Sequence, residues 1–284
     1  MRRILGTRKV GHAGTLDPMA TGVLLVGVGA ATRLLGYLAK SDKEYLATIR
    51  LGMATVTDDA TGAVLTMAPP GSLADVDRGR VQAAVTSLTG RIEQVPSAVS
   101  AIKVGGKRSY ALVRSGEQVE LAAREVQVTS FEILQDRSAH AATGDPCLDL
   151  DVRVTCSTGT YVRALARDLG ARLGVGGHLT ALRRTRVGPW TVDTAVDLDV
   201  LQADPAPAGR LAGLGEIAAA GFAVLVVDAD LAAYVRHGRP IPLSTGSQDA
   251  PIAILDGTGR LLALAAPAGG QARYLAVLAE ATGA

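Results

Sequence analysis

Gly11-His12-Ala13-Gly14-Thr15-Leu16-Asp17-Pro18-Met19-Ala20-Thr21-Gly22 decides how this chain is read. One carboxylate, Asp17, stands among glycines with a proline directly after it. Glycine permits positive φ and close backbone approach, so Gly11, Gly14 and Gly22 mark tight turns. Pro18 drives Asp17 out of helical geometry. Arg2, Arg3, Arg8 and Lys9 lie upstream, and an apolar run from Val23 to Val28 lies downstream. The run presents one acid on a rigid loop beside a basic surface. Residue types alone leave a plainer reading open, a Gly/Pro turn with a solvated aspartate. No Gly-Lys-Ser/Thr closes the run, which excludes a P-loop.

The 284 residues suffice for one large domain, or one with a smaller companion. Hydrophobic residues make up 48% of the chain, yet no apolar run reaches the roughly 18 residues of a membrane span. No charged, apolar and cleavage-site succession opens the chain, so a cytoplasmic protein is expected. Cys147 and Cys156 share one alternating stretch that reads as a strand. At that spacing they stand about 30 Å apart, too far for a disulfide. The histidines, His12, His140, His178 and His237, are scattered. No Cys/His cluster has ligand spacing, so no metal is expected.

Charge is unevenly placed. Residues 1–192 hold 24 Lys and Arg against 17 Asp and Glu, whereas residues 193–284 hold 5 against 10. A basic front with an acidic tail points to a polyanion partner for the front alone. A solvated basic surface is the plainer alternative.

Tyr45 to Gly52 is rich in β-favouring residues and reads as a strand, followed by a turn from Thr55 to Gly62. Val81, Ala84, Val85 and Leu88 recur at helical spacing, which predicts a helix over about 75–89 ended by Gly90. Leu148, Leu150, Val152, Val154 and Cys156 alternate with polar residues and predict a half-buried strand. A helix follows, with Val162, Leu165, Ala166, Leu169 and Leu173 on its apolar face and Thr158 or Thr160 as its cap. Residues 94–124 sustain no period and carry Lys103, Lys107, Arg108, Arg114 and Arg124, a long basic excursion. Asp204 to Gly209 reads as the start of a linker. Beyond Gly221, short strand-like runs at Ala223–Val227, Ile252–Leu255 and Leu261–Ala265 predict a small β-rich domain.

Four segments together carry a resemblance. They are the Asp17 run; Lys43-Glu44-Tyr45 with Leu51-Gly52 and the Thr55/Thr57/Asp59/Gly62 turn; Gln94 to Lys103 running on to Gly106 and Tyr110; and Cys156 to Arg163 with Gly177-His178-Leu179 and Leu182-Arg183-Arg184. In order and spacing, over residues 2–190, they resemble the TruB family of tRNA pseudouridine synthases. The resemblance implies isomerisation of uridine to pseudouridine at position 55, in the T-loop of tRNA, without a cofactor. It implies an α+β fold: a pseudouridine synthase domain around a large mixed sheet over residues 1–220, then a small β-rich, PUA-like domain over 221–284. Residues 94–124 become a basic RNA-binding insertion.

The family motifs also imply roles. Asp17 takes the place of the carboxylate that acts on the sugar as the N1–C1′ bond breaks. Arg163 matches the arginine that keeps it ionised, and Tyr45 the tyrosine that stacks on the uracil and moves a proton. The target base must leave its stack, and His12 matches the residue that fills the vacated space. Gly14 and Thr15 are expected to contact the substrate with His12, Tyr161 supports the site and Leu182 packs near the base. Phosphate grip is expected from Arg8, Lys9, Lys103, Lys107, Arg108, Arg114, Arg183 and Arg184. The partner is the tRNA T-arm, and a monomer with no obligate protein partner is expected.

Two rivals stand beside this reading. One is a synthase of the same fold directed to other RNA, with or without a guide. The other is a non-catalytic RNA-binding or RNA-folding protein. The family normally begins with a strand and Lys-Pro-x-Gly before the catalytic loop. Here Met1 to Leu5 followed by Gly6 reads as the last turn of a helix, so Met1 is expected to be an internal methionine of a longer protein.

Overall fold

The computed structural model describes residues 1–97, 103–104, 107–108, 121–244 and 250–278. They divide into two compact units. The first comprises Leu16–Val23 and Ser41–Val187; the second comprises Met1–Thr15, Leu24–Lys40 and Gly188–Ala284.

The first unit is built on a sheet whose hydrogen-bonded neighbours run Gly177–Val187, Lys43–Leu51, Pro146–Cys156, Arg124–His140 and Gly90–Gln94, all antiparallel. The Lys43–Leu51 strand alternates strictly, with Lys43, Tyr45, Ala47, Ile49 and Leu51 buried, as the period of two in a strand dictates. The Pro146–Cys156 strand lies where alternation places it, and both cysteines are buried thiols. Helices Arg78–Ser87 and Val162–Leu173 pack their apolar residues into one core with this sheet. Val81, Val85 and Leu88 meet there with Leu165, Leu169, Ile49 and Val152. Asp77 caps the first helix by accepting from the Arg80 N–H at 2.8 Å. Gly90 opens the next strand, and the helix itself ends at Ser87.

Neither Thr158 nor Thr160 caps the Val162–Leu173 helix. Its first turn begins at Tyr161, which has no capping side chain of its own. The Gln94 amide takes over: its oxygen accepts from the Tyr161 N–H at 2.8 Å and its nitrogen donates to the Tyr161 carbonyl at 3.1 Å. Further along, Gly170 meets Gly176 and Gly177 backbone to backbone. A Cβ at Gly170 would fall 2.2 Å from Gly176 C and Gly177 N, so only glycine fits.

The second unit contains the expected small β-rich element. Ala223–Val227 pairs parallel with Ile252–Asp256, which pairs antiparallel with Leu261–Ala268, and that with Gln271–Val277. The expected boundary at residue 221 differs from the division found. Residues 188–220 and two N-terminal stretches cluster with the tail because they share its apolar core. Ala218, on the Leu214–Gly221 helix, is buried with Ala13, Leu34, Leu38, Leu255 and Leu264. The expected linker at Asp204 is also corrected. Helix Leu198–Ala203 precedes it, a 3-10 turn spans Pro207–Arg210, and Arg210 pairs with Asp204 at 2.8 Å.

Near the N-terminus, Val10–Ala13 pairs antiparallel with Leu25–Val28. Met1 to Leu5 form one helical turn, closed by the Leu5 N–H on the Met1 carbonyl at 2.9 Å and the Thr7 N–H on the Arg2 carbonyl at 3.2 Å. Most of the 94–124 excursion lies outside the described residues. Within it, Lys103–Val104 pairs antiparallel with Lys107–Arg108.

Candidate active site

Asp17 opens a tight turn, its carbonyl accepting from the Ala20 N–H at 2.9 Å, with Pro18 at the position that favours its fixed φ. The chain then joins the sheet: Thr21 and Gly22 pair in parallel with Arg183 and Arg184. Gly22 has a φ of 100°, and a Cβ on it would lie 2.1 Å from the Arg184 carbonyl oxygen. Only glycine satisfies both demands. The loop is thus pinned just after its acid.

The helix that follows Tyr161 brings Arg163 to that acid. Arg163 Nη2 donates to Asp17 Oδ1 at 2.6 Å, and its Nε donates to Oδ2 at 3.0 Å. This is the two-pronged geometry of a guanidinium on a carboxylate. The Arg163 side chain is 5% exposed, whereas that of Asp17 is 28% exposed. The aspartate is held from behind and reachable from in front. Arg163 Nη1 also donates to the Thr57 carbonyl at 3.1 Å and lies 3.6 Å from Asp59 Oδ2.

Asp59 has its own support. Its Oδ1 accepts from Thr57 Oγ1 and Thr61 Oγ1, each at 2.6 Å, and from the Thr61 N–H at 2.9 Å. Burial pushes the Asp59 carboxyl up, but these hydrogen bonds and the Arg163 charge outweigh it and leave it below the usual carboxylate range. Its neighbour Asp58 shifts the other way. Burial raises it, against the Ser97 hydrogen bond and the charges of Arg167 and Arg163.

Tyr45 points into the core side of the sheet, directly opposite Arg184 in register. Burial raises its hydroxyl above the ordinary phenol range; Arg184 opposes that shift, while Cys156 and Asp17 add to it. The neutral hydroxyl is therefore kept at neutral pH. Asp17, Tyr45, Arg163, Tyr161 and Leu182 all belong to the first unit, together with Arg183 and Arg184. Tyr161 is half-buried under its Gln94 clamp, and Leu182 is a core residue at 5% exposure.

Arg184 corrects an expectation. It is 1% exposed, and its Nε donates to the Val23 carbonyl at 2.8 Å. It is an internal clamp on the end of the Asp17 loop, with no surface to offer a phosphate. Arg183, one residue earlier, points outward and is exposed. His12, Arg8 and Lys9 are exposed residues of the second unit, which also holds Gly14 and Thr15. Arg114 lies outside the described residues, as do the side chains of Lys103, Lys107 and Arg108. Among the described residues, no group of three or more His, Cys, Asp or Glu side chains is placed to hold a metal ion. No helix there is long and apolar enough to cross a membrane.

The profile for the TruB family pseudouridylate synthase N-terminal domain matches residues 2–162, and that for the tRNA pseudouridylate synthase B C-terminal domain matches residues 163–207. The chain belongs to the TruB family. Among TruB relatives, tRNA pseudouridine synthase B of Thermobifida fusca is 52% identical over 279 residues, covering 98% of this chain and 92% of that protein. The protein of the same name from Nocardia farcinica is 59% identical over 239 residues, covering 84% and 74%. A chain in the crystal structure of a Cbf5-Nop10-Gar1 complex shares the fold with a TM-score of 0.71 at 24% identity, covering 98% of this chain and 79% of that one.

Beyond the residues given a role from sequence, the site includes Asp59, Thr57, Thr61 and Gln94 as supports, and Arg184 serves as a clamp in place of its expected phosphate contact. Asp59 and Gln94 were visible as parts of matching segments. Thr57, Tyr161 and Arg163 stood in those segments too; what was not visible is that Arg163 meets Asp59 and that Gln94 holds Tyr161 across long stretches of chain.

Proposed function

We propose that this chain converts uridine to pseudouridine at position 55, in the T-loop of tRNA, with Asp17 as the reacting carboxylate. As a TruB-family member whose relatives are tRNA pseudouridine synthases, it isomerises uridine in tRNA. The reaction breaks the N1–C1′ bond, rejoins the base through C5, and moves one proton from C5 to N1. No redox step is involved.

One observation carries the mechanistic reading: Arg163 grips both oxygens of a carboxylate that stays partly open to solvent. A carboxylate aimed by a guanidinium suits attack on, or stabilisation of, the anomeric carbon as the uracil leaves. Tyr45, neutral and buried, supplies a stacking face and a hydroxyl for the proton. The base is flipped out of its stack, and His12 fills the space it leaves. Arg8, Lys9, Lys103, Lys107, Arg108, Arg114 and Arg183 hold phosphates of the T-arm. The Ala223–Val277 sheet is the PUA-like module, and the enzyme works as a cytoplasmic monomer without a cofactor.

The test is incubation with an unmodified tRNA transcript, followed by carbodiimide mapping of pseudouridine. A single modified site in the T-loop, absent with Asp17→Asn, is expected. Modification elsewhere, or full activity of Asp17→Asn, would refute the reading.

A further inference from the structure

Arg163 is not the only arginine of its helix that meets the 55–62 turn. One helical turn later, on the same face, Arg167 places Nη1 3.3 Å from Asp58 Oδ2. Its Nη2 donates to the Val95 carbonyl at 2.7 Å, and its Nε donates to Asp168 Oδ1 at 2.9 Å. Asp58 Oδ2 also accepts from Ser97 Oγ at 2.7 Å. Asp58 is 8% exposed and Ser97 fully buried.

The backbone of Asp58 is unusual as well. Its φ is 57°, and among the described residues no other non-glycine residue has a positive φ. Such a conformation persists only where the surroundings hold it. Here the Asp58 N–H donates to the Thr55 carbonyl at 3.2 Å, and the Asp58 carbonyl accepts from the Leu179 N–H at 3.0 Å. The left-handed residue stands between the two groups that support Arg163. Before it is Thr57, whose carbonyl accepts from Arg163; after it is Asp59, whose carboxylate pairs with Arg163. Two adjacent carboxylates thus face two arginines one turn apart.

We propose that Arg167 and Asp58, with Ser97, form a positioning unit that holds the Thr57–Asp59 turn in the conformation that seats Arg163 on Asp17. The proposal rests on the reading of Asp17 as the reacting carboxylate. Arg167 and Asp58 act through Arg163 and have no substrate contact of their own. Without the Arg167 charge, Asp58 is a buried carboxylate with a hydroxyl as its main partner, a costly state. It is relieved by turning Asp58 toward water, which takes the φ of 57° with it. The Thr57 carbonyl and Asp59 then swing off Arg163, whose fork keeps its charge and loses its aim.

A merely structural ion pair would change melting temperature alone, so the test separates kcat, KM and Tm. Arg167→Met keeps the apolar stem without the charge, and Arg167→Lys keeps the charge without the fork. Asp58→Asn keeps the Ser97 hydrogen bond in a residue type that tolerates left-handed backbone. Each full-length variant is assayed on an unmodified tRNA transcript. Arg167→Met is expected to lower kcat roughly tenfold or more, the scale of a displaced catalytic group, with KM within about twofold. Arg167→Lys is expected to recover part of that loss, and Asp58→Asn to show a smaller fall of the same kind.

Wild-type kcat in Arg167→Met, whatever its Tm, overturns the proposal. So does a rise in KM alone, which would make Arg167 an RNA contact. If Arg167→Met does not fold, Asp58→Asn is judged by the same two criteria. Asp17→Asn runs alongside. Activity in that variant refutes the reading of Asp17, whereas its inactivity with a normal Arg167→Met refutes the positioning unit alone.

Discussion

Replacing Arg163 by methionine removes two hydrogen bonds to Asp17, one to the Thr57 carbonyl and an ion pair with Asp59. Breaking a buried ion pair costs about 3–5 kcal/mol because the surviving charge is stranded. Two features place this case at the lower end. The Asp17 side chain is 28% exposed and rehydrates once released. Asp59 keeps its hydrogen bonds from Thr57 and Thr61. A loss of about 3 kcal/mol follows, which moves a urea midpoint by about 1.5 M for a slope near 2 kcal/mol/M. The effect on rate is separate. Asp17 without its fork is hydrated and unaimed, and a loss of at least about 100-fold, or about 2.7 kcal/mol of barrier, is expected. Arg163→Lys restores the charge without the two-pronged grip and is expected to fall between. Urea unfolding and single-turnover pseudouridine formation on saturating tRNA measure the two quantities. A methionine variant within twofold of the wild-type rate would show that the Asp17–Arg163 pair has no part in the chemistry.

Gly22→Ala places a methyl 2.1 Å from the Arg184 carbonyl oxygen at a φ of 100°; strain and overpacking together are expected to cost about 3 kcal/mol, and thermal unfolding at wild-type temperature would contradict this. Tyr45→Phe is expected to bind tRNA normally and lose turnover. Because burial holds the Tyr45 hydroxyl above its ordinary range, wild-type activity that needs the neutral phenol is expected to hold up to and beyond about pH 10; a titration well below that would remove Tyr45 from the proton step. Asp58 and Asp59 are expected to bend stability against pH in opposite senses. The lowered Asp59 contributes stability that is present above about pH 3.9 and lost as pH falls through its folded value. The raised Asp58 favours the fold most below about pH 3.9, and that contribution is lost as pH rises through its folded value. Unfolding free energies of Asp58→Asn and Asp59→Asn across pH 3–7, each against wild type, check both signs.

Local periodicity made much of the fold legible. The alternation in Leu148–Cys156 and the helical spacing of Val81, Ala84, Val85 and Leu88 describe contacts within one element, and both elements form. The site was legible where a motif names its residues: Asp17 and Arg163 meet across 146 positions. The misses are long-range. Thr160 looked like a cap because it is adjacent, but the clamp comes from Gln94, 67 residues away. The Arg183–Arg184 pair looked like a surface patch because two arginines together usually are. Strand alternation held the correction: Leu182 and Arg184 share one face, so if Leu182 is core, Arg184 is too. The grouping of residues 188–220 with the tail was hidden because single alanines and leucines far apart in the chain build that core.

The glycine contact between Gly170 and the 176–177 backbone acts as a distance gauge for chemistry two turns back along the same face of the helix. With no side chains between them, the helix and strand have no compressible layer to absorb a change. A methyl at Gly170 would have to lift the Val162–Leu173 helix bodily. The lift would be felt at Arg163, two turns away, where the tolerance is that of a 2.6 Å hydrogen bond. Tolerance to substitution in this enzyme is therefore expected to follow mechanical linkage to that helix more closely than distance from Asp17. A position remote from any substrate would then carry a turnover defect.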